Sequence, residues 1–173
     1  MLSKPFENVR KYHEEHGDDY GSEESRRQKY ETIFSLVPRW TEKSILDVGA
    51  GEGEFGKLLN TKLIHLQWKY YSLDLLSNTN VLDYHEHHDI VVANGIFYKL
   101  DNFDQCAELI RHMWWLTKEC LVFTSLSTWA PTKHPFELYL NPSHVLEFCR
   151  ELSLRVTLRH DYLPHDFTVA LYR

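Results

Sequence analysis

The chain has 173 residues, is 43% hydrophobic and carries a formal net charge of −6 with its 11 histidines neutral. That length suits one domain with a real core, since single domains usually hold about 100–200 residues, and 1–173 is read as such, with a helical N-terminal segment over roughly 1–40. The acidic balance and the lack of a long Lys/Arg run argue against a grip on nucleic acid or an anionic membrane, and no apolar run is long enough to span a bilayer. Cys106, Cys120 and Cys149 are odd in number and lack metal-ligand spacing, and no apolar leader is present, which predicts a reducing cytoplasmic location.

Residues 1–20 are charged and polar, with Phe6, Val9 and Tyr12 spaced along one narrow apolar edge, which predicts a surface helix ending near Gly17. Ser25 is placed to cap a second helix whose Tyr30, Ile33, Phe34 and Val37 form the buried face and which Pro38 stops. The β-prone run 44–48 follows, passes through Gly49, Gly51 and Gly53, and restarts as a helix with Phe55, Leu58 and Leu59 inward and Asn60 at its end. Residues 70–75 read as a second strand. Only 75–80 separate it from Val81, Leu82 and Asp83, read as a short extended edge, whereas a parallel crossover normally needs about a dozen residues. The crossovers around the third strand are therefore expected to be shortened.

Asp89 to Ala93 is a β-branched run without alternation, as in a strand covered on both faces, and it runs into a turn at Asn94 and Gly95. Asn102 or Asp101 caps a helix with Cys106, Leu109, Ile110, Met113 and Leu116 at helical spacing. Residues 119–126 supply another strand, and 127–140, with Trp129, Pro131, His134 and Phe136, form an irregular aromatic insert placed to cover a substrate. Asn141 and Pro142 open the last helix, and 154–162 and 167–173 alternate as the two strands of a hairpin.

A strand, an acid, a glycine turn and a helix in this register is how a Rossmann-type fold opens a ligand site above its first strand. Gly51-Glu52-Gly53-Glu54-Phe55-Gly56 also satisfies G-x-G-x-x-G, the dinucleotide fingerprint. A dinucleotide lays its charged pyrophosphate on the helix N-terminus, but Asp47, Glu52 and Glu54 crowd this turn with negative charge. S-adenosylmethionine (SAM) has no phosphate and is cationic at its sulfonium and amino groups. The acidic turn thus predicts SAM as cofactor, held by Asp47, Gly49, Ala50, Gly51 and Gly53. An acid closing the second strand of this architecture accepts hydrogen bonds from the ribose hydroxyls, which assigns Asp74, with Leu75 beside it.

Asp47-Val48-Gly49-Ala50-Gly51-Glu52-Gly53 resembles the first motif of the class I SAM-dependent methyltransferases, D/E-x-G-x-G-x-G. The whole sequence is similar to a group of small members of that class. In them, a segment like Ser25-Arg26-Arg27-Gln28-Lys29-Tyr30-Glu31 precedes the motif, and segments like Asn94-Gly95-Ile96-Phe97 and His160-Asp161-Tyr162-Leu163-Pro164-His165-Asp166-Phe167-Thr168 follow. The resemblance implies an α/β, Rossmann-like class I methyltransferase fold: a mostly parallel central sheet ending in an antiparallel C-terminal hairpin, with helices on both faces. It also implies that Asp83 faces the adenine amino group, that Asn94 and Gly95 line the cofactor, and that Lys29 meets its methionine carboxylate where relatives commonly carry arginine.

Methyl transfer is an in-line displacement that needs alignment, exclusion of water and, for a hydroxyl acceptor, removal of a proton. Asn94-Gly95-Ile96 is not the N/D-P-P-aromatic element that meets exocyclic base amines, and no cysteine lies there for pyrimidine C5 chemistry. The expected acceptor is a small-molecule hydroxyl or amine, or a protein side chain. His16, His134, His160 and His165, with Asp161 and Asp166, are the candidates for a base. His85, His87 and His88, with Asp83 and Asp89, crowd one short loop, and no metal site is predicted from them. Trp114, Trp115 and Trp129 read as core or rim packing. The alternative is a catalytically silent domain of the same fold that binds SAM or a partner protein.

Overall fold

A computed structural model describes residues 22–73, 80–134 and 137–173. The expected N-terminal surface helix, His16, Asp74 and Leu75 lie outside these residues.

The first helix, α1 (Glu23–Leu36), begins one turn earlier than the sequence suggests. Ser22 caps it, its hydroxyl accepting from the Ser25 backbone N–H at 3.1 Å, and Glu23 and Glu24 place negative charge on the exposed N–H end, where the helix dipole favours it. Tyr30 and Ile33 are buried as expected, and Val37 ends the helix in extended conformation ahead of Pro38. Strand β1 (Lys43–Val48) leads through the glycine turn to α2 (Glu54–Lys62), which runs two residues past Asn60. Strand β2 (Trp68–Leu73) follows.

Val81–Asp83 corrects the reading of an extended edge there: it is a single 3-10 turn, held by the Asn80 side chain accepting from Leu82 N–H at 3.2 Å. Strand β3 (His88–Ala93) is next, then α3 (Phe103–Leu116), capped by Asn102, and β4 (Thr117–Leu126), which starts with no intervening loop. After the irregular residues comes α4 (Pro142–Leu152), its N–H groups capped by Asn141. Strands β5 (Arg155–Leu163) and β6 (Asp166–Tyr172) close the chain as a hairpin around Pro164 and His165.

The six strands form one sheet in the order β2-β1-β3-β4-β6-β5, parallel through β4 and antiparallel at β6 and β5. Among the described residues this is a doubly wound order without an outer strand beyond β2, so the shortened connection after β2 costs the sheet an edge and leaves its centre intact. Alternation along each strand feeds two cores. Leu46, Val48, Val91, Ala93, Leu121 and Phe123 pack with α3 and α4 on one face. Ile45, Ile90, Val92, Cys120 and Val122 pack with α1 and α2 on the other. Burial on both faces is why the central strands read as unbroken apolar runs.

Candidate active site

The register aligns the carboxyl ends of the central strands. Val48 pairs with Ala93, Ala93 with Phe123 and Phe123 with Val169, so Gly49, Asn94 and Thr124 emerge side by side at one edge of the sheet. From β1 the chain turns outward to β2, while β3 continues on the other side. The gap between β1 and β3 is thus a topological switch point, where open α/β sheets bind ligands.

Gly49, Gly51 and Gly53 all have positive φ, at 77°, 51° and 73°, a region that costs other L-residues about 1–2 kcal/mol each. The turn is stapled to β2 by Gly49 N–H donating to Leu73 C=O at 2.7 Å. Gly53 is the N-cap of α2 with no side-chain cap, and a Cβ built on it meets nothing within 4 Å. Space is therefore open on the Cβ side of Gly53, while its own N–H donates to Ala50 C=O at 2.9 Å.

Gly56 has a different task. A Cβ there would lie 2.8 Å from the Tyr70 ring, so the glycine is what lets α2 settle on β2 with Tyr70 between them. From that position the Tyr70 hydroxyl donates to Asp47 Oδ2 at 2.6 Å. Asp47 is 2% exposed. Burial pushes its pKa up to about 6 against the lowering effect of the Tyr70 hydrogen bond, and burial and the carboxylate together raise the Tyr70 pKa. Asp47 thus braces the turn from beneath. Of the other two acids, Glu54 lies 3.3 Å from Lys57 and 3.8 Å from Arg26, and Glu52 is exposed. The negative charge inferred from sequence is in place, but most of it is screened or spoken for.

On the neighbouring strands Asn94, 7% exposed, accepts from the Thr124 hydroxyl at 2.8 Å, and that hydroxyl in turn accepts from Gly95 N–H at 3.0 Å. Gly95 has φ 63°. Beside it opens a small pocket with apolar walls from Phe97 and Leu126 and polar groups from Lys29, Ser125, Glu137 and Asp166.

Lys29 is buried, and its ammonium lies 3.0 Å from Asp166 Oδ2. Asp166 is 1% exposed and takes the Tyr162 hydroxyl on its other oxygen at 2.5 Å; Tyr162 in turn shares a 2.7 Å bond with the Thr168 hydroxyl. His165, in the hairpin turn, has its pKa lowered by burial and then by the Lys29 charge. Its carbonyl accepts from Ser127 N–H at 2.9 Å.

The remaining sequence candidates separate. His160 is tied to the buried Ser127 hydroxyl at 2.7 Å and lies against Trp129. His134 is exposed. Asp161 faces solvent in a two-pronged bond with Arg159 at 2.6 and 2.9 Å, and Asp83 is exposed in its 3-10 turn. His88 bonds the Tyr84 hydroxyl at 2.7 Å and Asp89 accepts from Ser44. No group of three or more His, Cys, Asp or Glu is placed to hold a metal ion among the described residues. None of their helices is long and apolar enough to cross a membrane.

Sequence reasoning missed Tyr70, Thr124, Ser125 and Glu137. The third glycine of G-x-G-x-x-G, whose role is close helix–strand packing, was the available signal for Tyr70. The carboxyl end of a central strand was the signal for Thr124 and Ser125.

Neither a family model nor a curated protein sequence matches the chain. Solved structures do. Magnesium protoporphyrin IX methyltransferase (ChlM) from Synechocystis PCC 6803, with bound SAM, superimposes with a TM-score of 0.62 at 12% identity, over 98% of this chain and 97% of that one. N-methyltransferase NodS from Bradyrhizobium japonicum WM9, in complex with S-adenosylhomocysteine (SAH), gives 0.64 at 13% identity, over 96% and 98%. The chain has the class I methyltransferase fold. The plantazolicin methyltransferase BpumL, in complex with a triazolic desmethylPZN analog and SAH, shares it with a TM-score of 0.62 at 11% identity, over 96% and 90%. Within this methyltransferase fold the mostly parallel sheet, the antiparallel terminal hairpin and the helices on both faces all stand where the sequence placed them.

Proposed function

We propose that the protein is a SAM-dependent methyltransferase acting on a small-molecule hydroxyl or amine. The observation that carries this reading is the row of positive-φ glycines Gly49, Gly51 and Gly53 at the switch point, in a fold whose neighbours of matching length were solved with SAM or SAH bound. A turn that bound nothing would have no physical need for three such positions in sequence.

The residues fit the cofactor. Gly49, Ala50, Gly51 and Gly53 let its backbone-hugging portion approach α2, Asp47 holds the turn in shape, and Asn94 and Gly95 form the facing wall under control of Thr124. Asp74, Leu75 and Asp83 take the ribose and adenine roles that the resemblance implies. Lys29 is assigned differently: its ammonium is committed to Asp166, and it shapes the neighbouring pocket instead of reaching a free carboxylate. When bound, SAM supplies a methyl group already activated by positive sulfur, so the protein's work is alignment and exclusion of water.

Isothermal titration with SAM and with SAH tests the reading. One-to-one binding of both is expected, and absence of heat together with no thermal-shift response would remove it.

A further inference from the structure

The pocket beside Gly95 has a hydrogen-bonding deficit with a definite sign. Asp166 Oδ2 is buried with Lys29 as its counter-ion at 3.0 Å, but the ammonium approaches at an angle that makes no well-formed hydrogen bond, so the oxygen can still accept one. Glu137 lines the same pocket. Its Oε2 takes the Tyr139 hydroxyl at 2.7 Å, and because the residue is half-exposed its Oε1 is open to water or to a ligand. Asp166 and Lys29 cancel in charge, and Glu137 leaves the pocket one negative charge in excess. Phe97 and Leu126 supply walls that cannot donate, and the Ser125 hydroxyl, also in the lining, donates to Leu126 C=O at 3.4 Å.

A buried acceptor that lacks a well-formed hydrogen bond, as at Asp166 Oδ2, is costly, and a ligand that brings a donor recovers that cost. A hydroxyl brings one O–H and no charge. An amine brings two N–H groups, or three as the ammonium, and a positive charge that Glu137 can offset. A carboxylate brings no donor at neutral pH, and it and a phosphate both bring an unfavourable charge.

Resting on the methyltransferase reading, we infer that this pocket is the acceptor subsite and that it takes an aliphatic amine, held between Glu137 Oε1 and Asp166 Oδ2. In the reaction the bound ammonium gives a proton to the Glu137 carboxylate. The nitrogen lone pair then forms the N–C bond to the methyl carbon as the C–S bond breaks, its electron pair staying on sulfur as the neutral thioether. The product leaves as an N-methylammonium, and the proton on Glu137 passes to water. The half-exposed position of Glu137 gives that proton a way out.

The test uses the full chain saturated with SAH and three probes of one shape: n-butylammonium, n-butanol and butyrate, titrated at pH 7.5 by ligand-observed NMR. The ammonium is expected to bind at least fivefold more tightly than the alcohol, with no measurable binding of butyrate. Glu137→Gln, which keeps size and lies half-exposed, is expected to weaken n-butylammonium about tenfold, the loss of a charge-assisted hydrogen bond, while SAH affinity stays within twofold. Equal or tighter binding of n-butanol or butyrate, no binding of n-butylammonium, or an unchanged affinity in Glu137→Gln would overturn the inference. Failure of SAH to bind wild type strikes the parent reading instead, so the two can fail separately.

Discussion

Tyr70→Phe isolates the brace beneath the glycine turn. Phenylalanine keeps the ring that packs on Gly56 and deletes only the hydroxyl that donates to Asp47 Oδ2 at 2.6 Å. A hydrogen bond to a charged group contributes about 1.5–3 kcal/mol, and a loss of about 2 kcal/mol is expected near neutral pH. The loss depends on pH, and its sign follows from burial. The Asp47 pKa is raised from 3.8 to about 6 in the folded chain, so between those values the native state binds more protons than the unfolded one. Stability therefore falls as pH rises through that window, by about 3 kcal/mol in all at roughly 1.4 kcal/mol per unit. Removing the Tyr70 hydroxyl removes a lowering influence, so the Asp47 pKa climbs further. The difference between variant and wild type is then largest above pH 7, where wild-type Asp47 is ionised, and falls to about 1 kcal/mol near pH 4.5, where both are protonated. Urea denaturation of both proteins at pH 4.5, 6 and 7.5 reads this directly. A difference below 0.5 kcal/mol, or one flat across that range, refutes the brace.

Gly53→Ala places a Cβ in open space but at φ 73°, so it should cost about 1 kcal/mol of stability from backbone strain, while SAH affinity by calorimetry drops at least tenfold because the methyl group enters the ligand's path. Unchanged affinity would show that nothing approaches that position. Lys29→Met leaves Asp166, 1% exposed, without its counter-ion, and should destabilise the chain by about 3–5 kcal/mol in urea. The double variant Lys29→Met with Asp166→Asn removes both charges and should recover more than half of that loss. A single-variant effect under 1 kcal/mol would mean that the pair is solvated.

The fold was largely legible because its signals are local. Apolar runs at 44–48 and 89–93, helical spacing from Cys106 to Leu116, the Asn141-Pro142 cap and the final alternation each lie within one element, and each appears as expected. The errors were of two kinds. Val81–Asp83 was too short for any period to separate an extended segment from a 3-10 turn, and Ser22 and Ser25 both suit a cap, the acids at 23 and 24 deciding between them.

The glycine turn was read from spacing for the same local reason. The partners of its neighbours were not. Asp47 meets Tyr70 across two strands, Lys29 on the first helix meets Asp166 in the last hairpin, and Thr124 holds Asn94 and Gly95 from the next strand. Such pairs are set by sheet order, which no short window of sequence contains. Hence the residues proposed to hold the cofactor could be named from one stretch of sequence, whereas the proposed acceptor subsite depends on Glu137 and Asp166 lining one pocket.

A crystal structure of the chain grown with SAH decides whether this turn receives SAM with its methyl directed toward the pocket of Lys29, Glu137 and Asp166. Adenosine is expected over Gly49 to Gly53, with the sulfur turned toward Gly95. SAH bound elsewhere, or a turn filled by the protein's own side chains, would contradict it.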